Sequence, residues 1–450
     1  MKRHFLPAIF FILFCSIGHA QTFTAQQKNE MCDSIKAALQ FAWNGYKKYA
    51  WGADEVTPIT KEPQNWYLQS LLMTPMDAFD TFILLGMNDE AKEAKRLIFS
   101  RLDFQFDQSV QVFEITIRLL AALQSAYELS GDKEFLKLAE DLGNRLMPAF
   151  NSPTGMPYRF VNLQTGKTSD SLSNPAEIGT LMLEFGKLSQ LTGNTLYYTA
   201  AKRAAMEVFE SRSKIGLLGS GIDVNTGEWM DSDSHISGGI DSYYEYLYKA
   251  WLLFGDEDFK YAWDIESAAI KKYLLRKENS GWYFAHVNMI TGTETGSYYG
   301  ALDAFFAGTL ALSGDVATAE KVQEGNYYMW THFKMEPEVF DFRQDTIVYP
   351  SYPLRPENLE SCFYLYRFTH DDLYLQMGQR MVSDILTHCR AGAGYAAIKD
   401  VTTMEQEDDM ESYFFAETLK YAYLLFAPEE TIDLSKIVFN TEAHPLRIKQ

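Results

Sequence analysis

The chain has 450 residues, with 60 acidic against 40 basic side chains and a net charge of −20. Such acidity excludes nucleic acid and anionic membrane surfaces as electrostatic partners; it suits a neutral substrate, and a divalent cation would offset part of it. With 47% hydrophobic residues the chain is long enough to bury a large core in one or two domains.

Residues 1–20 read as a secretory signal peptide. Lys2 and Arg3 form a basic start, Phe5 to Ile17 an apolar core, and Gly18-His19-Ala20 a small-residue cleavage site. The apolar run falls short of the ~20 residues that cross a bilayer, so no membrane span is expected. A lipid anchor at Cys15 is the weaker reading, because bulky Phe14 precedes it. The mature protein, 21–450, is expected to be an exported, soluble monomer folded as a single domain. It keeps 38 basic and 60 acidic residues, a net charge of −22. Three cysteines remain, Cys32, Cys362 and Cys389; one disulfide with a thiol left over is open, but not a disulfide framework. There is no Asn-X-Ser/Thr sequon, which favours a bacterial exported protein.

From Ala25 onwards helical periodicity dominates and alternating strands are few. A turn of the form Leu-X-Gly-Asp/Asn recurs at Gly131-Asp132, Gly193-Asn194, Gly255-Asp256 and Gly314-Asp315, with 62, 62 and 59 residues between glycines. Looser versions sit at 86–89 and 369–372. In each, Gly ends one helix in the left-handed region and Asp or Asn caps the next. Six turns account for twelve helices. The first helix, 25–49, and the last, 410–426, pair with each other, which gives seven hairpins. A period this regular predicts an all-α (α/α)7 barrel closed by its first and last helices. The longer polar segments 151–173, 214–237, 281–295 and 335–353 would gather at one end of that barrel and build a site.

Several acids sit among apolar or aromatic residues rather than on polar faces. Glu114 and Arg118 lie one turn apart in Phe113-Glu-Ile-Thr-Ile-Arg-Leu-Leu120. Asp241 and Glu245 share an aromatic cluster, Glu357 and Glu360 open a helix after Pro356, and Glu177 and Glu417 repeat the theme. Each alone reads as a structural ion pair, with Arg118 and Arg355 as partners. Five helices each bringing one would, in a closed barrel, aim them at a common axis. Clustered carboxylates must share protons, bind a cation or titrate abnormally. Acids with aromatic walls are suited to sugars, and Tyr243, Tyr413, Phe414 and Phe415 are the stacking candidates, with core packing expected for at least half of them. The stretch Val438-Phe-Asn-Thr-Glu-Ala-His-Pro445 supplies a polar point on which the acids could converge, with Thr441 as the candidate holder of a cation. No nucleophile elbow, P-loop or dinucleotide fingerprint occurs. His444, alone beside Pro445, reads as structural before it reads as a ligand.

Seven blocks in order, Met76–Thr81, Phe113–Arg118, Ala176–Thr180, Asp241–Tyr246, Leu354–Glu357, Met410–Thr418 and Phe439–Pro445, give the chain a resemblance to glycoside hydrolase family 47, the class I α-mannosidases. That resemblance implies an (α/α)7 barrel and calcium-dependent, inverting removal of terminal α-1,2-linked mannose from mannose-rich glycans. It implies Glu114, Asp241 and Glu357 as the catalytic acids, with Glu114 donating a proton through a water and Glu357 as base. Asp241 is the rival for either role. It implies Thr441 as the protein ligand to Ca2+, through hydroxyl and carbonyl oxygens. Arg118, Glu177, Arg355, Glu360, Tyr413, Glu417 and Glu442 match residues that hold the terminal sugar or the ion's waters. Processing mannosidases carry a His in the block matching 299–305; none occurs here. This block, 352–356 and 394–400 look more like the ER-degradation-enhancing mannosidase-like branch. A mannose-binding protein without turnover, and an inverting α-mannosidase of another linkage, are the alternatives.

Overall fold

The computed structural model describes residues 22–449; the signal-peptide reading, 1–20, lies outside them. Helix α1 (Ala25–Tyr49) opens the described chain under a capping box in which Thr24 and Gln27 bond each other's backbone. Six hairpins follow. They pair α2 (Met73–Leu84) with α3 (Asn88–Arg101), α4 (112–130) with α5 (Lys133–Leu146), and α6 (175–192, broken at Thr180-Leu181) with α7 (Thr195–Glu210). Next come α8 (Asp241–Phe254) with α9 (Glu257–Tyr273), α10 (302–312) with α11 (Val316–His332), and α12 (Glu357–Thr369) with α13 (Asp372–His388). The ring closes where α14 (414–426) packs on α1, completing the (α/α)7 barrel.

The recurring turn works as its residues dictate. Gly131, Gly193 and Gly255 take φ of 71°, 79° and 67°. Asp132, Asn194 and Asp256 then accept the N–H of Glu134, Leu196 and Asp258 at 3.0, 3.1 and 3.1 Å. His370, at φ 55°, replaces glycine in the sixth turn, and Asp371 caps as expected. The first turn differs: Met87 takes the capping position without a side-chain bond, and Asn88 and Asp89 fall inside α3.

Burial separates two concentric rings. The first helix of each hairpin is inner: α2 buries every residue from Met73 to Phe82, and α8 every residue from Ser242 to Ala250. The second is outer and buries only a stripe, Phe135, Ala139, Leu142, Gly143 and Leu146 in α5. The inter-hairpin segments hold short antiparallel strands: Phe160–Asn162 pairs with Ser109–Gln111 and Thr168–Ser169, and Val339–Asp341 pairs with Tyr298–Gly300 and Thr346–Tyr349. Strands of two to four residues are too short for alternation to show, which is why the sequence read as loops. The last helix starts at Phe414 rather than 410, because the Ser412 N–H and hydroxyl are drawn to Glu55 and Asp77.

The hairpin of Ile437–Phe439 and Pro445–Arg447 carries the loop 440–444 into the barrel's axis. There it meets α2, α4, α6, α8 and α14, so the inner ring is plugged at that level.

Candidate active site

Two inner helices contain a π-helical turn, Thr116–Leu120 in α4 and Phe414–Thr418 in α14. Such a turn frees a carbonyl from the helix ladder. Both freed groups are used: Ile117 C=O accepts the Asn440 amide at 2.8 Å, and Phe415 C=O accepts the Thr81 hydroxyl at 2.9 Å. The π turns thereby fix the helix ends that carry Arg118 and Glu417. Beside α14, Leu354 sits at φ 65°, costly for a side chain with a Cβ. The Thr418 hydroxyl holds its carbonyl at 2.7 Å, and the kink places Arg355 and Glu357 at the start of α12.

All eleven site residues singled out in the sequence line one cavity of ≈ 290 Å³: Glu114, Asp241 and Glu357; Arg118, Glu177, Arg355, Glu360, Tyr413, Glu417 and Glu442; and Thr441. Glu245, Gln111 and Asn174 join them, with Phe113, Leu302 and Phe305 as apolar wall. The aromatic candidates divide as expected, with more than half in the core. Tyr243, Phe414 and Phe415 are core residues at 0% exposure. Only Tyr413 reaches the cavity, and its ring lies near two guanidiniums, Arg118 at 5.6 Å and Arg355 at 5.7 Å.

Eight carboxylates line the cavity against two arginines. Arg118 bonds Glu114 at 3.0 Å and also Glu442; burial works against its charge, and these acids outweigh it and hold the guanidinium charged. Arg355 is gripped in a bidentate pair by Glu338, at 3.0 and 2.6 Å. Glu177 is held the same way by Arg159, at 2.7 and 2.8 Å, with Gln111 at 3.1 Å. Five of the acids are displaced upwards. Burial raises Asp241 and Glu357 to about 7, the latter against the pull of Arg355. Burial, with Glu245 adding to it, raises Glu360 to about 8; burial raises Glu442 to about 8 despite Arg118. Burial, with Glu442 adding to it, raises Glu417 well above the usual carboxylate range. Glu357 Oε2 is buried without a hydrogen-bond partner. Asp241 accepts the Ser242 N–H at 2.7 Å, so the helix start holds its carboxyl.

At the floor, the loop is held rigidly. Asn440 accepts the N–H of Glu442 and His444 at 3.1 and 2.8 Å and donates to Glu184 at 2.9 Å. The Thr441 N–H donates to the Tyr246 hydroxyl at 3.2 Å, which donates to Glu184 at 2.6 Å. His444 is not a ligand candidate: it lies 2.7 Å from Asp80 and 3.4 Å from Asp77, fully buried, as its structural reading expected. Donors around Thr441 are all oxygens with surplus negative charge, which fits a hard, oxygen-preferring cation and not a soft one. Cys32, Cys362 and Cys389 are buried free thiols, so the one-disulfide option is not realised.

Asp233, His235 and His286 form a separate group with ligating atoms within 4.8 Å of one another. Its hydrogen bonds argue against a metal. The Ser237 N–H donates to His235 Nδ1 at 3.1 Å, which leaves the imidazole proton on Nε2. His286 Nδ1 faces Asp233 at 2.7 Å, and the two rings stack at 4.4 Å, so their lone pairs do not converge.

Sequence reasoning missed Glu338, Arg159, Glu184, Tyr246 and the Asp77–Asp80 pair as supports. Glu184, Asp77 and Asp80 carry the sign that flagged the others, an acid among apolar neighbours, in Leu183-Glu-Phe185 and Met76-Asp-Ala-Phe-Asp80.

A double ring of helices around a carboxylate-lined cavity defines a protein of the α/α-barrel class. Residues 38–448 match the model of glycosyl hydrolase family 47, and the chain belongs to that family. It is 35% identical to alpha-mannosidase I MNS5 of Arabidopsis thaliana, over 99% of this chain and 82% of that protein. It is 36% identical to human mannosyl-oligosaccharide 1,2-alpha-mannosidase IB, over 93% of this chain and 70% of that one. ER degradation-enhancing alpha-mannosidase-like protein 2 of Mus musculus is 34% identical, over 94% and 78%. Among solved structures, the alpha-1,2-mannosidase from Trichoderma reesei superposes with a TM-score of 0.86 at 30% identity, covering 94% of this chain and 99% of that one.

Proposed function

We propose that the protein is an exported, calcium-dependent, inverting exo-α-1,2-mannosidase that releases terminal mannose from mannose-rich glycans. The observation that carries this is the convergence of Glu114, Asp241, Glu357 and Thr441 on one blind cavity, in a chain similar to proteins named as 1,2-alpha-mannosidases. A floor closed by the loop 440–444 admits a chain end and stops a chain middle, which supports exo action. Export rests on the basic and apolar pattern of residues 1–20.

Inversion needs one carboxyl to protonate the leaving oxygen and another to activate a water on the opposite face. Glu357, with Oε2 free and its pKa near neutrality, is the base: it takes the proton of the attacking water. Glu114, oriented by Arg118, delivers a proton through a water to the leaving oxygen. Asp241 is the alternative for either task, since burial holds it near 7 as well. Thr441 would hold Ca2+ through hydroxyl and carbonyl oxygens, with Glu442 and Glu417 placed to bond its waters; when bound, the ion grips sugar hydroxyls and offsets the surplus charge. Arg355 and Glu360 hold the terminal ring.

The test is incubation with α-1,2-mannobiose, followed by proton NMR, with calcium and with chelator. Release of β-mannose only with calcium is expected. Intact disaccharide, with calcium-dependent binding by calorimetry, would instead make this a mannose-binding protein. Release from α-1,3- or α-1,6-mannobiose alone would move the linkage.

A further inference from the structure

The loop at the floor of the cavity is held by more bonds than a five-residue turn needs, and one side chain links its two halves of support. Tyr246 lies on α8, five residues beyond Asp241 and on the same inner helix. Its hydroxyl accepts the Thr441 N–H at 3.2 Å and donates to Glu184 Oε1 on α6 at 2.6 Å. The same Glu184 oxygen accepts the Asn440 amide at 2.9 Å, and that amide also reaches the freed Ile117 carbonyl of the π turn at 2.8 Å. Tyr246 is 2% exposed and Asn440 and Glu184 are 0% exposed, so water does not substitute for any of these groups. The backbone N–H of Thr441 is therefore fixed from α8, and the residue before it from α4 and α6. A carbonyl and hydroxyl can serve a cation as a pair only if the residue that carries both does not turn. Within the loop, the Asn440 side-chain oxygen also accepts the Glu442 and His444 N–H at 3.1 and 2.8 Å, and Lys420 holds the Ala443 carbonyl at 2.6 Å; the Tyr246 bond is the one made to the N–H of residue 441 itself.

We infer that Tyr246 is a positioning residue for the cation site: it sets the orientation of Thr441 before any ion arrives. This rests on the proposed role of Thr441 as ligand. Tyr246 touches neither sugar nor ion; its hydroxyl acts through the backbone of Thr441. Preorganisation of this kind lowers the ordering cost at the moment of binding, so its loss appears in affinity.

The experiment compares wild type, Tyr246→Phe and Tyr244→Phe as full mature chains. Tyr244 is equally buried, and its hydroxyl makes no bond to the loop. Two readouts separate the inference from the ligand assignment. In metal-free protein, hydrogen exchange of the segment 437–447 is followed by mass spectrometry. Faster exchange there is expected in Tyr246→Phe, and unchanged exchange in Tyr244→Phe. Calorimetric titration with calcium alone should then show Kd weakened about tenfold in Tyr246→Phe, the scale of one or two lost hydrogen bonds, and unchanged in Tyr244→Phe. Equal exchange in wild type and Tyr246→Phe, or a calcium Kd within twofold of wild type, overturns the positioning role. Altered exchange with no calcium uptake by wild type would instead overturn the Thr441 ligand and leave the pinning in place.

Discussion

Replacing Asp80 by Asn should destabilise the protein and flatten its stability against pH. Asp80 is 1% exposed and faces two cations at 0% exposure, Lys420 at 2.8 Å and His444 at 2.7 Å, with the Ser125 hydroxyl at 2.8 Å. Burial would raise its carboxyl, yet Lys420 and His444 hold it well below the usual carboxylate range. An amide of the same shape leaves both cations buried without their counter-charge, a loss of about 3–5 kcal/mol. Unfolding entropy for a chain of this size is about 0.9 kcal/mol/K, so the melting temperature should fall by roughly 3–6 °C. The histidine adds a pH signature. Burial alone would lower the His444 pKa, but Asp80 and Asp77 outweigh it and raise the pKa from 6.5 to about 9. A raised base stabilises the fold fully below its unfolded value and loses that contribution as pH climbs through the folded one. Wild type should thus lose on the order of 3 kcal/mol between pH 6.5 and 9 from this group, and Asp80→Asn should lose much less. Scanning calorimetry of the metal-free protein across that range is the assay. A variant that melts within 1 °C of wild type at pH 6.5, or one with the same slope to pH 9, would refute the reasoning.

Glu114→Gln and Glu357→Gln should each lower kcat/KM on α-1,2-mannobiose by at least about 10²-fold, with circular dichroism unchanged; full activity in either would remove that residue from the chemistry. Because Glu357 titrates near 7, its ionisation opposes folding above the ordinary carboxylate range. Glu357→Gln should therefore stabilise the metal-free protein at pH 8 by about 1–3 kcal/mol while leaving pH 4 unaffected; a lower melting temperature at pH 8 would contradict this. Calcium at about a hundred times Kd should add about 2.7 kcal/mol, a rise of roughly 3 °C on melting, and chelator should abolish both that rise and the activity. Burial raises the thiols of Cys32, Cys362 and Cys389, the first to about 11, so a thiol reagent at pH 8 should label native protein far more slowly than urea-unfolded protein.

The ring was legible because its punctuation is local. A Gly followed by Asp or Asn acts within four residues, so the hairpins and their count were written in short words. The acids were legible for a related reason: a carboxylate flanked by Phe, Ile or Tyr conflicts with burial, and the conflict marks a site. What was not legible is pairing across the chain. His444 meets Asp80 across 364 residues and Asn440 meets Glu184 across 256, and no local pattern announces either. The π turns escaped for the same reason, since Ile117 gives up its ladder bond to a partner 323 residues away. Which of the aromatic candidates would face the cavity was not legible, because period alone places Tyr243 and Tyr413 alike, while Tyr243 packs against Gly179 in the core.

The barrel closes with pieces made at opposite times. Helix α1 is made some 365 residues before α14, the helix that closes the ring on it, and until then its apolar face meets Phe82 of α2, packed against Trp43. The hairpin that carries Thr441 emerges later still and must thread its loop among five inner helices that have no other reason to leave a gap. A chain without residues 437–447 would hold most of the core and none of the floor, and its cavity would lack Thr441 and Glu442. Folding of the ring is thus coupled to folding of one short hairpin: the turn that carries Thr441 decides whether the cavity has a floor.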